Sequence, residues 1–434
     1  MSSSQQSTAP SQPGGDGKRV FVHIGAPKTG TTFIQNVLWS NHDRLREAGF
    51  LYPYERPSEH LGAMLDLRQV PWGDYPDPKH WRRRWDAVAE RSRAWPGHTV
   101  LLTNEMLGGA SREQIERLVD SVQPAEVHVV FTARDLARQL VSDWQEHIKH
   151  KHTVTLERFV DDLVELGIEA PHPFGQMFWG LHDAAYVLPR WADVVPEQRI
   201  HVVTVPQPGN LSTTLWQRFC AAVDLPPQLC SLEVERANES LGIAEAELLR
   251  RANAELSKLR SDEYDALVRR RLVRTLAGRS ARPVLPPQHL PWMVERSDRL
   301  ISQLRHNGYP VIGDLEELRP LPADHAGYVA TSALDADQMM SSAVLGMAAA
   351  LRIAARQRAG TRELKEEYGL LPEEAAAQRS SRPSGIRGLI PRIRAGARSG
   401  RIVLGRSRAG RALLARARLR RSAARGRSEP DVPR

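Results

Sequence analysis

The sequence predicts an α/β fold, a single three-layer domain with a central, mostly parallel sheet and a phosphate-binding loop after the first strand. Short apolar runs alternate with helical stretches along the chain, as in strands joined by crossover helices. The runs are rich in β-branched residues and nearly all apolar, which is typical of strands covered on both faces. A glycine-rich turn directly follows the first run and directly precedes a helix.

The elements follow from local patterns. Residues 19–24 (RVFVHI) form the first predicted strand, and its helix is predicted at 32–46, where an apolar stripe begins with Phe33 and continues to Leu45. The other predicted strands are residues 99–103, 127–132 and 199–205, and the other predicted helices are 110–122, 211–223 and 335–358. The last of these has the pattern of a helix that packs on its own domain or on another copy.

Composition divides the chain into four parts. They are a disordered lead-in at residues 1–17, the α/β domain at 18–322, a helical C-terminal extension at 323–378 and an arginine-rich tail at 379–434, which is predicted to be disordered. The tail has 17 arginines, no lysine and two acids, a net charge of +15; since the whole chain carries +9, the rest carries −6. The tail is interpreted as a solvated extension, a contact with an anionic membrane surface or a nonspecific nucleic-acid binder; no specific nucleic-acid partner is expected.

The rest of the composition is that of an ordinary globular protein, 41% hydrophobic and 26% charged. Two cysteines, Cys220 and Cys230, are too few for a disulfide framework and favour a reducing compartment. The longest apolar run, 343–351, is about half the length of a membrane span, and the N-terminus lacks the apolar core of a signal peptide. We therefore expect a cytoplasmic protein, which the tail could attach peripherally to the inner face of the membrane.

The stretch HIGAPKTGTTF, residues 23–33, resembles a phosphate loop whose lysine is displaced. Gly25 and Gly30 have the spacing of a Walker A loop, and they let backbone N–H groups and a helix N-terminus point at a phosphate. Lys28, however, lies inside the loop, and Thr31 and Thr32 follow it. No second-strand aspartate is present to complete an NTPase magnesium site.

A second anion site is indicated 104 residues after Gly30. Arg134 follows the third predicted strand, and Ser142 lies eight residues after Arg134. An arginine at this position attracts a second anion and cannot help to hold a metal, so no metal is expected at this site. The two elements together indicate a ligand with two separate anionic groups.

Pro27-Lys28-Thr29-Gly30-Thr31-Thr32 resembles the 5′-phosphosulfate loop of the sulfotransferases that use 3′-phosphoadenosine 5′-phosphosulfate (PAPS). The pair Arg134 and Ser142 is similar to that family's 3′-phosphate element. The resemblance covers about residues 19–320 and is to the bacterial and Golgi-type members. It implies a single α/β domain that moves a sulfuryl group from PAPS to a hydroxyl or amine of an acceptor, such as a carbohydrate, a glycolipid or a small metabolite.

The resemblance also implies roles for particular residues. Lys28 is expected to contact the 5′-phosphate and the bridging oxygen that leaves, and Arg134 with Ser142 to bind the 3′-phosphate. Phe33 is expected either to stack on the adenine or to belong to the core. The residues expected to bind the donor are Gly25, Pro27, Lys28, Thr29, Gly30, Thr31, Thr32, Phe33, Arg134 and Ser142.

Glu105 is the predicted catalytic base, together with Lys28 as the second catalytic residue. It follows the second predicted strand, at the edge where ligands bind in such sheets, and Golgi-type members often use a glutamate. The alternative base is a histidine among His147, His150 and His152.

Two other functions stay open at the level of sequence. One is a phosphate-loop phosphotransferase or NTPase, and the other is a non-catalytic sulfotransferase-like binding protein. Arg236 and Asn238 are further candidates for contact with the nucleotide or the acceptor.

Overall fold

The structure of the protein, a computed structural model, describes residues 17–71, 77–207, 211–234 and 240–367. The predicted lead-in lies outside the described residues except for Gly17, and the arginine-rich tail lies wholly outside them. The chain divides into two compact units, Met1–Ala343 and Val344–Arg434.

The central sheet is parallel throughout, with the strand order β2-β3-β1-β4-β5-β6. Its strands are β1 (Arg19–Gly25), β2 (Phe50–Leu51), β3 (Thr99–Thr103), β4 (Glu126–Ala133), β5 (Ile200–Thr204) and β6 (Val311–Ile312). The predicted α/β class is confirmed. The four predicted strands are all present, whereas the two-residue edge strands β2 and β6 were not predicted.

Helices make up most of the remaining structure. They are α1 (Thr31–Ser40), α2 (His42–Glu47), α3 (Glu59–Arg68), α4 (Arg84–Ala94), α5 (Arg112–Ser121), α6 (Leu136–Lys149), α7 (Leu156–Leu166), α8 (Phe174–His182), α9 (Ala184–Ala192), α10 (Leu211–Ala222), α11 (Ile243–Glu255), α12 (Ser261–Tyr264), α13 (Val273–Leu276), α14 (Leu290–His306) and α15 (Ala336–Glu367). A π-helical segment, Asp265–Leu272, joins α12 to α13.

Strand burial shows that both faces of the sheet are covered. Every residue of β1 except Arg19 is buried, and every residue of β3 is buried. Because successive side chains of a strand point to opposite faces, a fully buried strand has protein on both sides. The sheet is therefore the middle layer of the fold.

The helix predicted at 32–46 is two helices, α1 and α2, which meet at Asn41. The Asn41 amide nitrogen donates to the carbonyls of Val37 and Ser231, and its amide oxygen accepts the Ser231 backbone N–H. A side chain that makes local and distant backbone hydrogen bonds competes with helix continuation. The buried face of α1 includes Ile34, Val37 and Leu38 but not Phe33, so the predicted start of its apolar stripe was wrong.

The helix α15 begins near the predicted residue and extends further, to Glu367. Within it, the 24 residues Ala336–Ala359 are long and apolar enough to cross a membrane, a possibility that the search for uninterrupted apolar runs missed. Met340 and Leu351 are each 65% exposed on this helix. Only 17% of the apolar window is buried inside the protein.

The strand order changes direction at β1: β3 lies on one side of β1, and β4 lies on the other. The carboxyl ends of these three strands lead into the glycine loop, Asn104 and Arg134 respectively. In open parallel sheets this switch point is where ligands bind. The fold thus places the three predicted functional segments side by side.

A buried histidine joins the three central strands just below the loop. The ring nitrogens of His23 on β1 lie 3.2 Å from the hydroxyl of Thr103 on β3 and 3.2 Å from that of Thr132 on β4. Burial lowers the pKa of His23 to about 4, so the ring is neutral at pH 7. Burial likewise lowers the pKa of His201 and His152 to about 4.

Stability is expected to fall as the pH decreases from about 6.5 to 4. In the unfolded chain these histidines titrate near 6.5, so in this window the unfolded state binds more protons than the folded state. The free energy of unfolding, measured with urea, should decrease between pH 7 and pH 5 in both the wild type and His23→Gln. The decrease in His23→Gln should be about 2 kcal/mol smaller than in the wild type. The matched control is His42→Gln at a half-exposed position, and equal losses in all three proteins would refute the assignment.

Candidate active site

A cavity of about 1080 Å³ lies against the phosphate loop. Its walls come from the loop, from the turn after β3 and from one face of α6. The predicted residues that line it are Pro27, Lys28, Gly30, Thr31, Thr32, Phe33, Glu105, His147, His150 and His152. The fold therefore brings the loop, the predicted base and the histidine cluster to one cavity.

The loop turns sharply because three of its residues have positive φ. Gly25 has φ 126°, Lys28 has φ 62° and Gly30 has φ 95°. Gly30 is the residue before α1, so the loop ends on the N-terminus of that helix. Anions are stabilised at such a terminus by unpaired backbone N–H groups and by the helix dipole.

Threonine hydroxyls fasten this loop to the sheet. The Thr29 hydroxyl lies 2.6 Å from the Ala26 carbonyl, to which it donates, and 2.5 Å from the Thr132 hydroxyl. The Thr132 hydroxyl lies 2.9 Å from the Gly25 carbonyl and also donates to it. Thr29 is buried and does not line the cavity, so the loop itself uses its hydroxyl.

Arg134 lies next to the phosphate loop, directly after β4. Its guanidinium donates to the Lys28 carbonyl at 3.0 Å, which stabilises the left-handed backbone of Lys28. Ser142 is half-buried on α6. Neither residue lines the cavity, so their binding of a 3′-phosphate stays a prediction.

The Lys28 ammonium forms an ion pair with Glu146 of α6, at 2.5 Å between Nζ and Oε2. Glu146 is not among the residues predicted from the sequence. It lies four residues after Ser142 and begins the histidine-rich run EHIKHKH, which was the available signal. Helical spacing of four places Ser142 and Glu146 on one face of α6.

Glu105 begins the turn Glu105–Gly109, directly after β3, and it is half-buried. Its Oε2 accepts a hydrogen bond from the Gln35 amide of α1 at 2.9 Å. Asn104 caps the turn by accepting the Met106 N–H. The carboxylate thus faces the cavity from the strand next to the phosphate loop.

Two half-buried arginines hold this turn in place. Arg68 donates to the carbonyls of Met106 and Gly109 at 2.9 and 2.7 Å, and Arg190 donates to the Gly108 carbonyl at 3.0 Å. Burial, with the neighbouring Arg190 charge adding to it, lowers the pKa of Arg68 to about 10. Both guanidiniums position Glu105 indirectly, through the backbone that carries it.

His60 is a further titratable group in the cavity wall that sequence reasoning missed. Its Nδ1 lies 3.0 Å from the Asn104 side-chain amide. Burial lowers the pKa of His60, and the charge of Glu105 opposes this effect. A neutral imidazole therefore lies close to the predicted base.

The predicted histidine cluster is present, and a buried carboxylate organises part of it. Asp143 lies 3.3 Å from Nε2 of His147 and 3.4 Å from Nε2 of His182. Burial would raise the pKa of Asp143, but His182 and His147 outweigh it and hold the pKa below its usual range. Burial lowers the pKa of His152 to about 4, and electrostatic interactions with His147, His150 and His172 add to this effect.

Phe33 is half-buried and lies in the cavity wall. Its ring is available to a ligand. Across the described part of the chain, no group of three or more His, Cys, Asp and Glu residues could hold a metal ion. Arg236 and Asn238 lie outside the described residues.

Comparison with known proteins gives one structural likeness. No family model matches the chain, and no curated protein matches it. The chain is similar to a sulfotransferase from Alicyclobacillus acidocaldarius of known crystal structure, with 14% identity and a TM-score of 0.35 over 58% of this chain and 95% of that one.

Replacing Gly30 should disturb the loop more than replacing a glycine of similar φ elsewhere. A Cβ at Gly30 would lie 2.6 Å from Cδ2 of Leu215, whereas a Cβ at Gly278 (φ 70°) would meet nothing within 4 Å. Urea unfolding should show that Gly30→Ala costs about 1–3 kcal/mol more than Gly278→Ala, because crowding adds to backbone strain. Equal costs would contradict the crowded geometry.

Proposed function

We propose that this protein is a PAPS-dependent sulfotransferase that transfers the sulfuryl group to a hydroxyl or amine of an acceptor. The observation that carries the proposal is the meeting of three chemically different segments at the ends of adjacent strands. The phosphate loop follows β1, the carboxylate of Glu105 follows β3 and the guanidinium of Arg134 follows β4. A loop for one anion, a cation for another and a base are the parts that such a transfer requires.

The residues present fit the donor. Loop N–H groups and the N-terminus of α1 suit the 5′-phosphosulfate, and the Thr31 and Thr32 side chains line the same cavity. Arg134 adjoins the loop on the β4 side, where it suits the 3′-phosphate. Phe33 in the cavity wall offers a ring face for the adenine.

The transfer step follows from these positions. The acceptor oxygen forms a bond to sulfur while the bond between sulfur and the bridging oxygen breaks. Negative charge that develops on the bridging oxygen is stabilised by Lys28 and the loop N–H groups. The acceptor proton passes to Glu105, and 3′-phosphoadenosine 5′-phosphate leaves.

Gln35 and the two arginines that hold the turn support Glu105 as the base. Gln35 orients one carboxylate oxygen, and the clamped turn prevents the side chain from retreating from the cavity. His147 is the alternative base, because it lines the same cavity and contacts the Asp143 carboxylate. We propose a carbohydrate, a glycolipid or a small metabolite as the acceptor class, and the cytoplasm as the location.

The product nucleotide 3′-phosphoadenosine 5′-phosphate should bind without metal and more tightly than ATP with magnesium. The reason is that the loop and Arg134 are proposed to bind two separate phosphates, and that the strand next to the loop is followed by Asn104 and Glu105 instead of the aspartate of an NTPase magnesium site. Isothermal titration calorimetry on the full chain measures both affinities. Tighter binding of ATP with magnesium would favour a phosphate-loop phosphotransferase instead.

Glu105→Gln should lower the rate of sulfuryl transfer by about 10²–10⁴-fold and leave affinity for the donor nearly unchanged, because it removes the proton acceptor but no donor contact. Transfer is measured from radiolabelled PAPS to a pool of cellular hydroxyl compounds. Glu116→Gln, at a surface position on α5, is the matched control. Full turnover in Glu105→Gln would exclude Glu105 as the base and direct attention to His147.

A further inference from the structure

Glu146 is the centre of a cluster of basic side chains at the mouth of the phosphate loop. Its carboxylate lies 2.5 Å from Nζ of Lys28, 3.3 Å from Nε2 of His150, 3.6 Å from Nη2 of Arg269 and 3.8 Å from Nζ of Lys149. Among ion pairs in the described ranges, no other carboxylate is approached by four such side chains.

The cluster is assembled from three separate parts of the fold. Lys28 comes from the phosphate loop, Lys149 and His150 come from the end of α6, and Arg269 comes from the π-helical segment. Lys28, Glu146, His150 and Arg269 all line the cavity. Because distant segments converge here, the cluster is a property of the folded site and not of one charged helix face.

Glu146 is held as an anion by its neighbours. Burial alone would raise its pKa, but the charge of Lys28, followed by His150 and Lys149, outweighs burial and keeps the pKa well below its usual range. A permanently charged carboxylate in this position neutralises cations that would otherwise repel one another. It also pairs with the Lys28 ammonium, which is the group that an incoming phosphate or sulfate would need to contact.

We propose that Glu146 is a built-in counter-ion that occupies an anion subsite, and that His150 and Arg269 extend the donor site beyond the phosphate loop. The ligand class is a phosphate or sulfate group attached to a nucleotide, so the inference rests on the proposed function and deepens it. When such a group binds, the Lys28 ammonium leaves the Glu146 carboxylate and pairs with an oxygen of the ligand. Arg269 then supplies a second cation from outside the loop.

The test compares variants by calorimetry with 3′-phosphoadenosine 5′-phosphate and, separately, with inorganic pyrophosphate. Glu146→Gln removes one negative charge and should bind the nucleotide about tenfold more tightly than the wild type, an effect that decreases as salt rises. Glu165→Gln makes the same charge change at an exposed position on α7 and should leave affinity unchanged. Arg269→Gln should weaken binding several-fold, whereas the exposed neighbour Arg270→Gln should not.

The outcomes separate this inference from the proposed function. If the wild type binds the nucleotide and Glu146→Gln binds it no more tightly, the subsite is refuted while the function stands. If no variant binds the nucleotide but Glu146→Gln binds pyrophosphate about tenfold more tightly than the wild type, the subsite stands and the function fails. Should Glu146→Gln fold poorly, thermal unfolding of Glu146→Ala provides the same test: added pyrophosphate should raise its Tm more than that of the wild type, and an equal rise would refute the subsite.

Discussion

The hydrogen bonds that fasten the phosphate loop to the sheet are the constraint on which the rest of the site depends. Thr132 on β4 contacts the Gly25 carbonyl, the Thr29 hydroxyl and the ring of His23, and that ring also reaches Thr103 on β3. These groups are buried, where an unmade hydrogen bond costs about 1–3 kcal/mol. The chain therefore holds the loop at the junction of three strands, and the segments after β3 and β4 lie on either side of it.

The cavity that is proposed to bind a polyanion has several carboxylates in its walls. Its walls contain the carboxylates of Glu105, Asp143 and Glu146 beside the cations Lys28 and Arg269. Two of the carboxylates contact basic side chains, since Asp143 contacts two histidines and Glu146 contacts Lys28, whereas Glu105 accepts a hydrogen bond from the neutral amide of Gln35. Under the proposed function, a counter-ion that leaves Lys28 when the donor arrives would reconcile an acidic lining with an anionic ligand. Glu105 would then be the carboxylate that faces the acceptor.

The sequence predicted the features that depend on neighbours in the chain. Apolar, β-branched runs identified β1, β3, β4 and β5, and the glycine spacing identified the loop. Features that arise from distant contacts could not be predicted in this way. The break between α1 and α2 at Asn41, for example, depends on hydrogen bonds with Ser231. The clamp on the Glu105 turn likewise depends on Arg68 and Arg190, which have no local signature. The pairing of Lys28 with Glu146 joins residues 118 apart in the chain, so no motif could show it.

The most direct test of the account is a crystal structure of the full chain with 3′-phosphoadenosine 5′-phosphate. The account predicts the 5′-phosphate within the Gly25–Gly30 loop, the 3′-phosphate against Arg134 and the Lys28 ammonium moved from Glu146 to the 5′-phosphate. A nucleotide bound elsewhere, or bound in the loop with its 3′-phosphate away from Arg134, would contradict the two-phosphate site on which the proposed function depends.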